Sequence, residues 1–179
     1  MLEVRFHGRG GQGAVTAAQL LAVAAFKCGS WTQAFPHFGV ERRGAPVEAF
    51  CRINDKPIDL RTHVYSPDIV VVLDSDLVNT VDVADGLVKK GRIILNAEEF
   101  PKKWDLPNFG FKINLVNATA IALDIIGKPI VNTAMLGAFA KVTEIVTLKS
   151  VQEAIKEWFP KEVADKNCKA VEEAYNSVR

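Results

Sequence analysis

A chain of 179 residues with 49% hydrophobic and 24% charged side chains and a formal charge of +1 is long enough to bury roughly 70% of its unfolded surface in a core of its own. That balance excludes a disordered chain, and no run of like charge is long enough to track the backbone of a nucleic acid. The start at Met1–Phe6 lacks the apolar core of a signal peptide and nothing downstream reaches the about 18 apolar residues of a membrane span, so the expectation is a cytoplasmic protein of one domain over residues 1–179.

Residues Leu2 to His7 alternate apolar and polar, then meet Gly8-Arg9-Gly10-Gly11-Gln12-Gly13 and an Ala-rich stretch that runs to Cys28 without Gly or Pro. That order predicts strand, glycine turn, helix. The helix is apolar around most of its circumference and should be buried, its small residues allowing close approach to a sheet. A short strand is predicted over Ser30 to Phe35, and Pro36 to Pro46 reads as a loop that packs charge between glycines. Val47 to Ile53 alternates like a strand, and Asn54-Asp55-Lys56-Pro57 supplies turn residues for a hairpin with Ile58 to Leu60.

Asp68-Ile69-Val70-Val71-Val72-Leu73-Asp74 is a continuous β-branched run of the kind a parallel strand covered on both faces requires. Ser75 or Asp76 is the expected cap of a helix reaching about Val88, and buried strands follow at Arg92 to Leu95 and Phe111 to Val116. Helices are predicted over Asn117 to Ile126, Asn132 to Val142, Ser150 to Phe159 and Lys161 to Val178, the last placing Ala164, Cys168, Val171, Tyr175 and Val178 on one stripe. The fold class is α/β: a Rossmann-like three-layer arrangement with a mostly parallel sheet, a hairpin insertion, and C-terminal helices from about residue 150 packed on it.

Gly8, Gly10 and Gly13 satisfy G-x-G-x-x-G directly after a strand and opening a helix, a context in which backbone N–H groups converge on an anion at the positive end of a helix dipole. Arg9 would add a charged clamp; the turn can equally be a bare connection. A dinucleotide site also wants an acid about 20 positions on to bind ribose hydroxyls. Here that zone reads Trp31-Thr32-Gln33-Ala34-Phe35, with no acid before Glu41, and no Walker-type G-x-x-x-x-G-K-[ST] occurs. A nicotinamide dehydrogenase is therefore demoted.

Glu41-Arg42-Arg43-Gly44 bundles a carboxylate with two guanidiniums suited to phosphate or carboxylate, or forms a solvated ion-pair loop. Cys28, Cys51 and Cys168 are widely spaced and read as buried small hydrophobes. His7, His37 and His63 lie far apart in sequence and read as structural, with no catalytic residue and no metal ligand assigned. Asp74 and Asp76 close the best strand where ligands gather, and helix capping explains them equally. Asn132 is either a helix cap or a residue lining the cleft.

The glycine turn, the loop Phe38-Gly39-Val40-Glu41-Arg42-Arg43-Gly44, the strand Asp68–Asp74 and Asn132-Thr133-Ala134-Met135-Leu136-Gly137-Ala138 together, in this order, resemble the gamma subunit of pyruvate and related 2-oxoacid:ferredoxin oxidoreductases. The resemblance covers nearly the whole chain. Val40 stands where the family loop usually has Pro and Ala45 where it has a second Gly, while Glu41, Arg43 and Gly44 keep the Glu-x-Arg-Gly core. The resemblance implies a non-catalytic subunit assembled with alpha, beta and delta-type chains, which carry thiamine diphosphate and iron–sulfur clusters and pass electrons to ferredoxin. No cofactor is expected to be tightly held by this chain. It implies a candidate coenzyme A site at Gly8, Arg9, Gly10, Gly11, Gln12, Gly13, Glu41, Arg43 and Gly44. A stand-alone Rossmann-type nucleotide-binding dehydrogenase and a ligand-free assembly module remain the competing readings, and none of the three implies nucleic acid or membrane as a partner.

Overall fold

The computed structural model describes residues 1–37, 43–102, 104 and 110–179. The strands β1 (Leu2–Arg9), β2 (Trp31–Pro36), β3 (Pro46–Asn54), β4 (Ile69–Val72), β5 (Arg92–Asn96) and β6 (Lys112–Val116) form one sheet in the order β2-β3-β1-β4-β5-β6. β1, β4, β5 and β6 pair in parallel, while β3 is antiparallel to both β1 and β2, so β3 alone among the six runs against the rest. The carboxyl ends of β1, β4, β5 and β6 therefore open on the same side, as a ligand cleft in this class requires.

Strand alternation sorts the side chains onto two faces. Val4 and Phe6, Ala49 and Cys51, and Ile69 and Val71 join a buried cluster with α1 (Ala14–Lys27), α2 (Ala118–Ile125), α3 (Asn132–Thr143), α4 (Leu148–Trp158) and α5 (Lys161–Ser177). Ala17, Ala18, Ala24 and Ala25 bring α1 close against β2 and β3 because no large side chain holds it off. α4 and α5 close the same cluster with Val151, Ala154, Ile155, Ala164, Val171 and Ala174. The stripe predicted for the last helix is observed, with Ala164, Cys168 and Val171 buried.

The opposite face, with Val70, Val72, Ile93 and Leu95, is covered by the 3-10 helix Ser75–Asn79 and the turns after it, which supply Leu77, Val83, Ala84 and Leu87. Three layers result, with α-helices on one side and a 3-10 helix with coil on the other. The α-helix expected to reach Val88 is thus replaced by a single 3-10 turn. Its cap is Asp74, whose carboxylate accepts the Asp76 N–H at 3.0 Å, in place of Ser75 or Asp76. Asn79, Thr80, Val81, Asp82 and Val83 are poor helix formers, and Asp82 takes the Ala84 N–H at 3.0 Å into a local turn.

The predicted hairpin is also corrected. β3 pairs with β2, and residues 58–60 form no strand. Both edges of β3 are already occupied by β1 and β2, which leaves no ladder for Ile58 to Leu60 to join. The carbonyls of Leu60, Thr62 and His63 instead accept from the buried Arg52 guanidinium at 3.3, 2.7 and 3.2 Å. Cys28, expected to be buried, is exposed, because it caps the end of α1 beyond the helix's inward face. Among the described residues no helix is long and apolar enough to cross a membrane.

Candidate functional site

β1 carries Gly8 and Arg9 to the carboxyl end of the sheet, at the point where α1 departs over one face while the chain after β4 departs over the other. Such a switch point leaves a crevice between the two strands. The glycine turn fills its mouth. The Gly10 N–H donates to the Ala45 carbonyl at 2.9 Å and the Gly44 N–H to the Gly10 carbonyl at 3.1 Å, so the end of the charged loop is stitched to the turn. Gln12 folds back on it: its Oε1 accepts the Arg9 N–H at 2.7 Å and its own N–H donates to the Arg9 carbonyl at 2.9 Å.

Of the predicted site residues the structure brings together Gly8, Arg9, Gly10, Gly11, Gln12, Gly13 and Gly44, with Arg43 next to them in sequence. Glu41 lies outside the described residues, as do Phe38, Gly39, Val40 and Arg42.

Arg9 is not a free clamp. Its Nε donates to Asp74 Oδ2 at 2.7 Å and its Nη1 to the Gly44 carbonyl at 3.3 Å, and Gln12 Nε2 reaches the same Asp74 oxygen at 3.2 Å. Burial by itself would raise the Asp74 carboxyl. Hydrogen bonds from Arg9, the Asp76 N–H and Gln12 outweigh it and hold the group below the ordinary carboxylate range. Asp74 therefore stays ionised and keeps Arg9 across the crevice mouth. Arg43 is exposed, and its side chain makes no hydrogen bond or ion pair among the described residues.

Gly13 caps α1 in the left-handed region, at φ 80°, without a side-chain cap, and no acid stands in the first turn. Gly13 and Ala14 donate no hydrogen bond through their amides among the described residues. Open amides on the positive end of a helix form a site for an anion. Against Gly13 lies Asn132, the first residue of α3 and 5% exposed.

The three histidines, distant in sequence, meet on the coil-covered face. His7 Nδ1 lies 3.5 Å from one Glu48 oxygen, His37 Nδ1 lies 3.3 Å from the other, and the His37 and His63 rings stand 4.7 Å apart. Strand pairing of His7 with Glu48 makes this adjacency; no local sequence signal announces it. Burial, reinforced by Arg5, pushes His7 down to about 3, so the ring is neutral. The unfolded chain then binds a proton below about pH 6.5 that the folded chain refuses. Stability is expected to fall as pH drops from about 6.5 towards 3, by up to about 1.4 kcal/mol per unit. Urea midpoints at several pH values should show that slope in the wild type and a flatter one in His7→Gln; equal slopes would remove His7 as the cause.

Among the described residues no group of three or more His, Cys, Asp or Glu side chains is placed to hold a metal ion. A cavity of about 280 Å³ opens beside the ends of β5 and β6, lined among others by Glu98, Asn117, Ile121 and Arg179, and includes none of the predicted site residues.

The model of the pyruvate ferredoxin/flavodoxin oxidoreductase family matches residues 3–177. The chain is 60% identical over 178 residues to the common gamma subunit of the pyruvate/ketoisovalerate oxidoreductases of Thermococcus kodakarensis, covering 98% of this chain and 96% of that one. It is 56% identical to the pyruvate synthase subunit PorC of Methanocaldococcus jannaschii, with 99% and 97% covered. The crystal structure of the pyruvate oxidoreductase subunit PORC from Thermotoga maritima superposes with a TM-score of 0.86 at 41% identity, over 99% of this chain and 97% of that one.

Proposed function

Because the chain belongs to the pyruvate ferredoxin/flavodoxin oxidoreductase family, we propose that it is the gamma-type subunit of a pyruvate or related 2-oxoacid:ferredoxin oxidoreductase and receives phosphate groups of coenzyme A at its glycine turn. In that reaction the oxoacid loses its carboxylate as carbon dioxide, the acyl group ends on the coenzyme A sulfur, and the electrons leave to ferredoxin. Thiamine diphosphate and the iron–sulfur clusters are assigned to alpha, beta and delta-type partner chains, since the cysteines here are three, one exposed and two buried, and cluster ligation takes an array of thiolates. This chain is then non-catalytic: it binds and orients the acyl acceptor.

The observation that carries the reading is the open amino end of α1, where among the described residues the Gly13 and Ala14 amides have no acceptor and no side chain caps the helix, beside a turn braced by Gly44 and Ala45. The dinucleotide alternative is not favoured. In a dinucleotide fold the strand beside β1 supplies the ribose-binding acid, whereas here antiparallel β3 intervenes between β1 and β2.

The test is steady-state kinetics of the assembled complex. Arg43→Ala and Arg9→Ala are expected to raise the apparent KM for coenzyme A roughly tenfold, with kcat and the KM for the oxoacid little changed. Arg9→Ala should be the larger, because it also leaves Asp74 as an unpaired carboxylate at the site. Wild-type KM values in both variants would overturn the assignment, as would a melting temperature of the isolated chain raised by NAD and not by coenzyme A.

A further inference from the structure

We propose that the open sheet edge at β2, together with the outer side of α1, is a self-complementary surface on which two copies of the chain pair about a two-fold axis, joining two six-stranded sheets into one.

β2 is bonded on one side only. Its register with β3, with the His37 N–H donating to the Glu48 carbonyl at 3.0 Å, turns the N–H and C=O groups of Trp31, Gln33 and Phe35 towards β3. Those of Thr32 and Ala34 face outward, and neither N–H has an acceptor among the described residues. Such an edge is ordinarily blunted by charge. The strand Trp31-Thr32-Gln33-Ala34-Phe35-Pro36 has none, and Trp31 is 52% exposed. The helix above it repeats the pattern. α1 carries one charged residue, Lys27 in its last turn. Val15, Gln19, Ala22 and Phe26 recur at i, i+4, i+7 and i+11, on the side of α1 that is not buried against the sheet, α3 and α4. Phe26 is 67% exposed. A solvated helix face carries charge, so a charge-free stripe beside a charge-free edge marks a surface that is covered.

The geometry identifies the occupant. An antiparallel copy of β2, placed with Gln33 on the axis, sets Thr32 of one copy opposite Ala34 of the other. In this register every outward N–H and C=O of both residues is used. At its ends Pro36 meets Ser30. Proline has no N–H, and Ser30 has already given its own to the Ala25 carbonyl at 3.1 Å, so no donor is stranded. The same register stands Trp31 beside Phe35 of the other copy in a non-hydrogen-bonded pair, where cross-strand side chains are closest. α1 lies over β2 and β3 alike. The two copies of α1 therefore come to lie two strand spacings apart, about 9.6 Å, turned by two steps of sheet twist, about −40 to −50°. Both values fall in the range of packed α-helices. A six-residue edge alone is small against the about 800 Å² per partner of a stable interface, and the paired α1 stripes extend it.

Sedimentation equilibrium of the full chain is expected to show a dimer. Ala34→Pro removes an N–H that β3 does not use, and is expected to raise the dissociation constant roughly tenfold or more with the circular dichroism of the fold kept. Phe26→Glu, at an exposed position, is expected to do the same by placing a carboxylate in the joined stripes, and it decides if the proline variant does not fold. Gln33→Cys in a Cys28→Ser background reads the register. On the axis the two thiols face each other at a spacing that a disulfide spans, so diamide should link the copies, whereas Thr32→Cys should link them far less.

A wild-type chain that is monomeric at every concentration, a dimer unaffected by both Ala34→Pro and Phe26→Glu, or Gln33→Cys without a cross-link would each overturn the proposal. A cross-link from Gln33→Cys to a different subunit of the assembled complex would overturn it in favour of a strand from that subunit.

Discussion

Replacing Arg52 by methionine is expected to lower the stability of the folded chain by about 3–5 kcal/mol, the usual loss when one partner of a buried ion pair is removed. Arg52 is fully buried on β3. Its Nε donates to Glu3 at 2.8 Å, its Nη1 to Gln33 at 3.2 Å and to the Leu60 carbonyl, its Nη2 to the carbonyls of Thr62 and His63, and the Phe35 ring lies 5.1 Å from its Cζ. Methionine fills much of the same volume, so the loss reports on polar groups left without this donor: one carboxylate, one side-chain amide oxygen and three backbone carbonyls. Lysine should rescue little, because a single ammonium cannot reproduce the fork. The check is the urea midpoint and slope of each variant, with Glu3→Gln added to the methionine variant to relieve the orphaned charge. A loss below about 1 kcal/mol would mean that the segment over residues 60–63 is held by something other than this guanidinium.

Gly137→Ala is expected to be of similar severity for a different reason. A Cβ at residue 137 would lie 2.0 Å from the Val171 carbonyl oxygen and 2.9 Å from its carbon, both backbone atoms that no rotamer change can move aside. α3 and α5 would have to separate, loosening the 2.6 Å hydrogen bond from Thr133 Oγ1 to Asn167 Oδ1 within the same interface. Overpacking of this kind costs about 3 kcal/mol or more, which for a chain of this length lowers the melting temperature by roughly 6–12 °C. A melting temperature within about 2 °C of the wild type would show that the helix crossing is softer than its geometry implies.

The two variants mark where local patterning stops being informative. The run Ile69–Val72 and the Ala-rich α1 were legible because their composition has one structural use, a strand covered on both faces and a helix pressed onto a sheet. Gly8–Gly13 was legible as a turn opening a helix for the same reason. Nothing around Arg52 signals a buried cation: its neighbours alternate as in any strand, and its five acceptors come from residues 3, 33, 60, 62 and 63. The hairpin expected after Asn54 was plausible from its turn residues. Competition for strand edges decided against it, and edges exist only in the assembled sheet.

The candidate site divides in the same way. The family and the strand–turn–helix could be read along the chain, because each depends on consecutive residues and backbone preferences that act over a few positions, whereas the stitching of Gly44 and Ala45 to Gly10 comes from the pairing of β1 with β3. That Arg9 is held by Asp74, that His7 and His37 share Glu48, and that Asn132 packs against Gly13 depend on residues separated by between 11 and 119 positions. The packing of α3 beside α1 and the pairing of β3 with β1 and β2 and of β1 with β4 bring them together, since a contact of a few ångströms between distant residues is a property of the closed fold and not of any local stretch.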